Sequence, residues 1–218
     1  MAPPSRLRVG RSPSGRTVLR MQNRIVNIGA GPAELFGQRV SALEMHARQV
    51  IVNTAGVRRR FETGAELYFK SVPSRGGSYW KLKDAARFEL WAIDPTAHRT
   101  QLLRVGPKLD YCLRDLHRAR TGPTVRRHRL YPACNQRASK REATVGMSVG
   151  WADAYPRSYP ENWIDVTGLQ GCFAIVHRVD PLHHVFESNE ANNVASRIVR
   201  LPYRPGAQRC PVPPPPPA

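Results

Sequence analysis

Two residues able to form covalent intermediates lie in distinctive blocks of this sequence. Lys108 lies in Gly-Pro-Lys-Leu-Asp-Tyr-Cys-Leu-Arg-Asp at 106–115, and Tyr155 ends Gly-Trp-Ala-Asp-Ala-Tyr at 150–155. Lysine amines and tyrosine phenols both serve as nucleophiles in enzymes when their surroundings activate them. Taken singly, Lys108 would be a turn residue and Tyr155 a partly buried aromatic. Their chemistry therefore depends on the blocks around them.

Histidines, which often ligate redox metals, are not spaced here to share one ion. Side chains at i, i+2 and i+4 of a strand point to the same side and can converge on a metal. The sequence has no two histidines at i, i+2 or i, i+4. We interpret each as a surface or core residue, with a site rebuilt from distant histidines as the alternative. The seven are His46, His98, His117, His128, His177, His183 and His184.

Further blocks extend the pattern. They are Trp-Lys-Leu-Lys-Asp-Ala-Ala-Arg-Phe-Glu-Leu-Trp at 80–91, Trp-Ile-Asp-Val-Thr-Gly at 163–168, Glu-Ser-Asn-Glu-Ala-Asn-Asn at 187–193, and an opening segment at 19–35. With the blocks around Lys108 and Tyr155, their order and spacing resemble the lysyl oxidase family, and the short bacterial forms more than the cysteine-rich animal ones. The resemblance runs from near Leu19 to near Leu201.

The resemblance implies a copper-dependent amine oxidase. Such an enzyme oxidatively deaminates primary amines, such as peptidyl lysine, to aldehydes with O2, and it releases H2O2 and NH3. Its cofactor, lysine tyrosylquinone, forms when copper and oxygen oxidise a tyrosine and a lysine adds to the ring. Lys108 and Tyr155 match this pair. The implied substrate is a lysine-bearing protein or a small amine.

The resemblance also assigns the copper positions, where this chain departs from the family. The family pattern is His-x-His-Trp/Tyr-His, and its three histidines align with Gly77, Tyr79 and Lys81. Glycine offers no ligand, and tyrosine and lysine are poor ligands while protonated. We therefore expect a catalytically degenerate member, a pseudoenzyme, in which Lys81 supplies part of the positive charge of copper. Whether the chain is an enzyme stays open, because an active oxidase with a rebuilt metal site is the alternative.

A calcium site is a further expectation from the resemblance. The family segment Glu-x-Asp-x-x-Asn-Asn offers oxygen ligands, and its positions are filled here by Glu187, Asn189, Asn192 and Asn193. Asparagine where the family often has aspartate removes one charge from a hard-cation site. The alternative is a turn built by asparagine hydrogen bonds.

Cysteine usage bears on the compartment. The resemblance pairs Cys112 with Cys134, which implies an oxidising environment and an extracellular or cell-envelope location. Two buried free thiols are the alternative. The first 20 residues contain no apolar run of seven, so no secretory signal is visible. A truncated or misassigned start would resolve this conflict, as would a cytosolic protein with reduced cysteines. No stretch has the length of a membrane span.

Short apolar runs separated by Gly, Pro and Asn predict an all-β fold, a single antiparallel β-sandwich-like domain of lysyl oxidase type with long loops. We expect a disordered basic tail at 1–16, the domain at 17–204, and a Pro-rich tail at 205–218. One helix is predicted at 33–47. Strands are predicted at 18–28, 48–53, 65–69, 86–93, 101–105, 163–166, 172–179 and 195–201.

The net charge of +18 indicates an anionic partner. Nucleic acid is not favoured, because the arginines are scattered and no recognition helix, zinc finger or single-strand-binding motif is present. A polyanion or an acidic protein fits better. Three functions follow, namely a copper amine oxidase, a degenerate member that binds a partner through its basic surface, and a structural protein of the cell envelope.

Overall fold

Antiparallel strands form nearly all the regular structure of the computed structural model, which describes residues 2–72, 77–206 and 209–210. The strands are β1 (Ser5–Arg11), β2 (Thr17–Val26), β3 (Ala33–Arg39), β4 (Glu44–Val52), β5 (Arg58–Val72), β6 (Gly77–Ile93), β7 (Arg99–Val105), β8 (Leu109–Tyr111), β9 (His117–Arg118), β10 (Glu142–Met147), β11 (Trp151–Tyr155), β12 (Trp163–Asp165), β13 (Gly171–Val179) and β14 (Val194–Leu201). A 3-10 turn at Glu190–Asn193 precedes β14.

The strands form two sheets. The smaller has the order β1-β2-β11-β9, with β12 also paired to β2. The larger has the order β10-β3-β4-β5-β6-β13-β14, with β7 and β8 also paired to β6. One core contains buried side chains of both sheets, including Leu19 and Met21 of β2 and Leu67, Trp80 and Phe88 of the larger sheet. The prediction of an antiparallel all-β sandwich is thus confirmed.

Each predicted strand overlaps an observed one, but the helix predicted at 33–47 is wrong. Residues of this segment form β3 and β4, which pair in the register Gly37↔Ala47. Gly37 lies against Leu67 of β5, where an added Cβ would stand 2.6 Å from Leu67 Cδ1. The segment is therefore held by a contact with a residue distant in sequence.

The N-terminal segment differs from the expected tail. Residues 5–11 form β1 along β2, and the buried Leu7 joins the core, so the expectation of disorder at 1–16 is wrong for this segment. Arginine-rich composition concealed an alternating strand with Leu7 inward and Arg6 and Arg8 exposed. Of the expected tail at 205–218, residues 207–208 and 211–218 lie outside the described residues.

Strand β6 changes partners along its length. Residues 77–82 pair with β5, whereas residues 86–92 pair with β13. Asp84 lies between the two parts with a φ of 52°. The first part carries the three residues at the expected copper positions, and the second carries the buried Phe88 and Leu90.

Two disulfides and one carboxylate hold the loops. Cys112 is bonded to Cys134, the pairing expected from the resemblance, and Cys172 is bonded to Cys210. Asp115 is fully buried and accepts hydrogen bonds from the backbone of residues 130 and 131 and from the Ser148 amide and hydroxyl. The arginine-rich loop between β9 and β10 is therefore anchored while its arginine side chains stay exposed.

Substitution of Gly37 by alanine tests the strand assignment. In the observed sheet the added methyl group would crowd Leu67 and Met45, and we expect a loss of about 1–3 kcal/mol in the free energy of unfolding. In a helix the same change would raise stability by roughly 0.5–1 kcal/mol. Gly31→Ala is the control, because an added Cβ there meets no atom within 4 Å. Urea unfolding of both variants measures the difference, and a stabilised Gly37→Ala variant would contradict the sheet.

Candidate functional site

A cavity of about 220 Å³ lies where the two sheets face each other. The larger sheet contributes side chains of β5 and β6, and the smaller sheet contributes β11 and the turn that follows it. Its walls include Tyr79, Lys81, Cys112, Arg114, Tyr155 and Tyr159.

Strand β6 directs the residues at the three expected copper positions toward one side. Tyr79 and Lys81 both line the cavity, as residues two apart on a strand should. Gly77 leaves room for the Tyr79 ring, because an added Cβ at Gly77 would stand 2.6 Å from the Tyr79 hydroxyl oxygen. This side of β6 thus presents a phenol and an amine.

Lys81 is the central group of the cavity. It is only 2% exposed, and its Nζ donates a hydrogen bond to the Tyr159 hydroxyl. Nζ lies 4.8 Å from the centre of the Tyr159 ring and 5.4 Å from that of Tyr155, so both rings can stabilise its charge through cation–π contact. Burial and, to a smaller extent, the Lys70 charge lower the pKa of Lys81 to about 8, although three carboxylates oppose both effects.

Tyr155 is held by contacts with both its hydroxyl and its ring. Its Oη accepts a hydrogen bond of 2.9 Å from the Cys112 amide. Its ring meets Tyr111 and Tyr159 edge-on at centroid distances of 4.5 Å and 4.6 Å. Burial raises the pKa of Tyr155 well above its usual value, so the phenol stays neutral.

Asp153, two residues before Tyr155 on β11, is a buried carboxyl group. Its Oδ1 accepts a hydrogen bond from the Ala154 amide and lies 4.0 Å from Arg114 Nε, while Oδ2 has no hydrogen-bond partner among the described residues. Burial raises the pKa of Asp153 to about 7, against the opposing charges of Arg114 and Lys81. Asp153 is thus partly protonated near neutral pH.

A second lysine lies close to the site with its charge compensated. Lys70 Nζ lies 2.6 Å from Asp110 Oδ2 and 3.1 Å from Glu161 Oε1. Burial would lower the pKa of Lys70, but the two carboxylates outweigh burial and leave this pKa raised. Lys70 therefore stays cationic and acts on Lys81 as a like charge.

The structure does not bring Lys108 and Tyr155 together. Lys108 is 76% exposed, its Nζ lies 2.7 Å from Asp84 Oδ2, and it is not a wall residue of the cavity. The lysine beside Tyr155 is Lys81. The covalent pairing of Lys108 with Tyr155 stays a prediction.

The residues at the expected copper positions do not fit copper. Gly77 has no ligand atom, and the Lys81 amine is bonded to a hydroxyl in a site that lacks imidazole. Across residues 2–72, 77–206 and 209–210, no group of three or more His, Cys, Asp or Glu side chains is placed to hold a metal ion. His177 is buried without a hydrogen-bond partner for its ring in the described part, and burial lowers its pKa to about 3.

The segment expected to bind calcium is closed by its own hydrogen bonds. The Asn193 amide donates to Glu187 and Glu190 at 2.9 Å, and Asn189 accepts from the Ala191 amide at 3.0 Å. The carboxylates that a cation would need are thus engaged by asparagine. This geometry gives no support to a calcium site and corresponds to the turn that was the alternative.

Sequence reasoning missed three residues of this site. The Tyr159 hydroxyl accepts a hydrogen bond from the Lys81 amine, Arg114 lines the cavity, and the Tyr111 ring packs on Tyr155. Asp153 is part of the block at 150–155 that carries the family resemblance, but no role was assigned to it. Its spacing of two from Tyr155 on a strand was a usable signal, whereas Tyr159 follows in an irregular turn without a comparable pattern.

Fold and site together define an antiparallel β-sandwich protein with a lysine and tyrosine cavity between its sheets. The family model described as lysyl oxidase matches residues 79–206, and the chain therefore belongs to the lysyl oxidase family. The match begins at Tyr79 and includes Lys81, Lys108 and Tyr155. No curated protein matches the chain.

Asp153→Asn tests the buried carboxyl group. The folded-state pKa of about 7 exceeds the ordinary 3.8, so the folded protein binds an extra proton between these values and loses stability as pH rises through them. Asparagine removes this loss and can still accept from Ala154. We expect the stability of the variant relative to wild type to improve by roughly 2–4 kcal/mol between about pH 4 and pH 7, measured by urea unfolding.

Asp94→Asn is the matched control with the opposite sign. Hydrogen bonds from Thr96 and His98 lower the pKa of Asp94, so its carboxylate stabilises the fold above its ordinary pKa and this contribution is lost as pH falls. The control variant should therefore weaken relative to wild type only as pH rises toward this ordinary pKa, and should stay level with wild type between about pH 4 and pH 7. If Asp153→Asn also stayed level across this range, the raised pKa of Asp153 would be refuted.

Proposed function

We propose that this chain is a lysyl oxidase family member that does not perform copper-dependent amine oxidation and that binds an acidic partner through its basic surface. One observation carries the proposal. The buried Lys81 amine occupies the third expected copper position, bonded to Tyr159. The faces of two tyrosine rings offset part of the cost of burying this ammonium group, at a position where a metal would otherwise supply positive charge.

The arrangement of Lys108 supports the same conclusion. The family reaction needs a lysine added to the oxidised tyrosine ring, and an aldehyde then forms from the substrate amine. Here Lys108 is paired with Asp84 at the surface. The phenol of the half-buried Tyr155 is held neutral, and the described cavity walls offer no imidazole ligand set to support its first oxidation.

An active copper amine oxidase with a rebuilt metal site is the second candidate. The observation that favours it is that Tyr155 lines a cavity and lies within the residues matched by the family model. Its chemistry would be the family's, with primary amines or peptidyl lysine as substrates.

The arginine-rich loop supports an anionic partner. Exposed arginines follow β9, and the loop backbone is fixed where the Arg126 carbonyl accepts from Trp151 Nε1 at 3.0 Å and where Arg129 donates to the Leu116 carbonyl at 3.1 Å. Because this backbone is already ordered, less conformational entropy is lost when the loop binds a partner. The arginines of this surface are Arg118 at the end of β9 and, in the loop that follows, Arg120, Arg126, Arg127 and Arg129.

The two disulfides support an extracellular or cell-envelope location, because such bridges persist in oxidising compartments. Within the described ranges, no helix has the length and apolar character to cross a membrane.

Copper loading tests the loss of oxidase activity. After incubation with Cu²⁺ and oxygen, we expect no peroxide from a primary amine, no quinone absorption, and an intact mass without a cross-link. The matched variant Gly77→His/Tyr79→His/Lys81→His restores three imidazoles on one side of β6 and should retain copper. Peroxide release by the wild-type protein, or stoichiometric copper lost on replacing one of its histidines, would establish the second candidate.

Charge neutralisation in the loop tests the acidic partner. Arg126→Gln/Arg127→Gln should weaken binding to polyglutamate several-fold at low salt, because these arginines concentrate positive charge in an anchored loop. Arg8→Gln/Arg197→Gln removes the same charge from exposed strand positions and should have a smaller effect. Titration by fluorescence anisotropy gives both affinities, and equal weakening would indicate attraction by net charge alone.

A further inference from the structure

The position of the Lys81 amine in the cavity suits a nucleophile. It lines the cavity, yet none of the ion pairs within the described residues includes it. A lysine becomes reactive when an apolar setting or a neighbouring cation favours its neutral form. Both conditions hold, because Lys81 is buried among tyrosine rings and Lys70 lies close by with a fixed charge.

One proton-transfer group contacts the amine and a second lies near it. The Tyr159 hydroxyl accepts the hydrogen bond from Nζ, and Asp153 is close enough for its charge and that of Lys81 to affect each other. The Asp153 Oδ2 atom has no partner among the described residues. Imine formation needs such groups, because the oxygen of the adduct must receive a proton before it leaves as water.

Arg114 gives the cavity a recognition group for carboxylates. Its side chain is 37% exposed and lines the same cavity as Lys81. A guanidinium group matches a carboxylate in geometry and charge. The cavity volume of about 220 Å³ is below the range of about 300–1,000 Å³ found for drug-sized ligands, which favours a small molecule.

We propose that Lys81 forms a Schiff base with small 2-oxo acids, whose carboxylate Arg114 binds. This inference rests on the proposed function, because a copper ion at this site would compete for the same side of β6. The neutral amine attacks the carbonyl carbon, and the carbonyl oxygen takes up a proton from Tyr159. As the C=N bond forms, nitrogen loses two protons: one passes to the oxygen, which departs as water, and the other returns to the Tyr159 oxygen. No oxidant or reductant is consumed.

Reductive trapping tests the inference on the full chain. The protein is treated with glyoxylate and cyanoborohydride, which reduces an imine to a stable secondary amine, and the modified peptides are mapped by mass spectrometry. We expect labelling at Lys81 in preference to the exposed Lys108, with half-maximal rate near pH 8. Labelling that favours Lys108, or that rises only with the ordinary lysine pKa, would overturn the proposal.

Two variants separate recognition from reactivity. Arg114→Gln should reduce labelling of Lys81 by glyoxylate several-fold while leaving labelling by uncharged acetaldehyde unchanged. Lys81→Arg keeps the positive charge and should abolish the adduct at this position, while Lys108 labelling reports on the rest of the protein. Equal loss of both aldehydes in Arg114→Gln would remove the assignment of 2-oxo acids.

The outcome is distinguishable from failure of the proposed function. Each sample is divided, and one half is assayed for copper content and for peroxide release with a primary amine. Peroxide release overturns the proposed loss of oxidase activity whatever the labelling shows. Absence of the Lys81 adduct in a protein without peroxide release overturns only the Schiff base.

Discussion

The burial of one amine determines the arrangement around the cavity. Removing a charge from water costs several kcal/mol unless partners replace the lost hydration. For Lys81 the direct partners are the Tyr159 hydroxyl and two aromatic faces, while carboxylates act from a greater distance. The lowered pKa of Lys81 and the edge-on packing of Tyr155 and Tyr159 belong to this single arrangement. Gly77 completes it by leaving space for Tyr79.

The sequence was informative where the determining contacts are local. The apolar run at 86–93 predicted the second part of β6, and the block ending at Tyr155 predicted a residue of the cavity. The helix expected at 33–47 failed because Gly37 packs on Leu67, a contact no local pattern contains. The reach of Lys81 to Tyr159 likewise joins residues 78 positions apart. Charge composition hid β1, since its arginines face solvent while Leu7 supplies the inward contact.

The basic loop shows how a polar segment can be exposed and still defined in conformation. Asp115 satisfies backbone amides that would otherwise be buried without partners, and Cys134 fixes the chain beyond them. The arginines therefore project from a fixed base. An anion bound by them would be held without the full entropic cost of ordering a flexible chain.

Cys112 has two roles that connect the cavity to the chemistry of its surroundings. It is bonded to Cys134, and its backbone amide holds the Tyr155 hydroxyl. Reduction of that bond would release the segment that holds the Tyr155 ring. The redox state of the surroundings would therefore affect the position of the ring beside the Lys81 amine. A protein made in a reducing cytosol and the same protein after export would then differ in the shape of this cavity, although their sequences are identical.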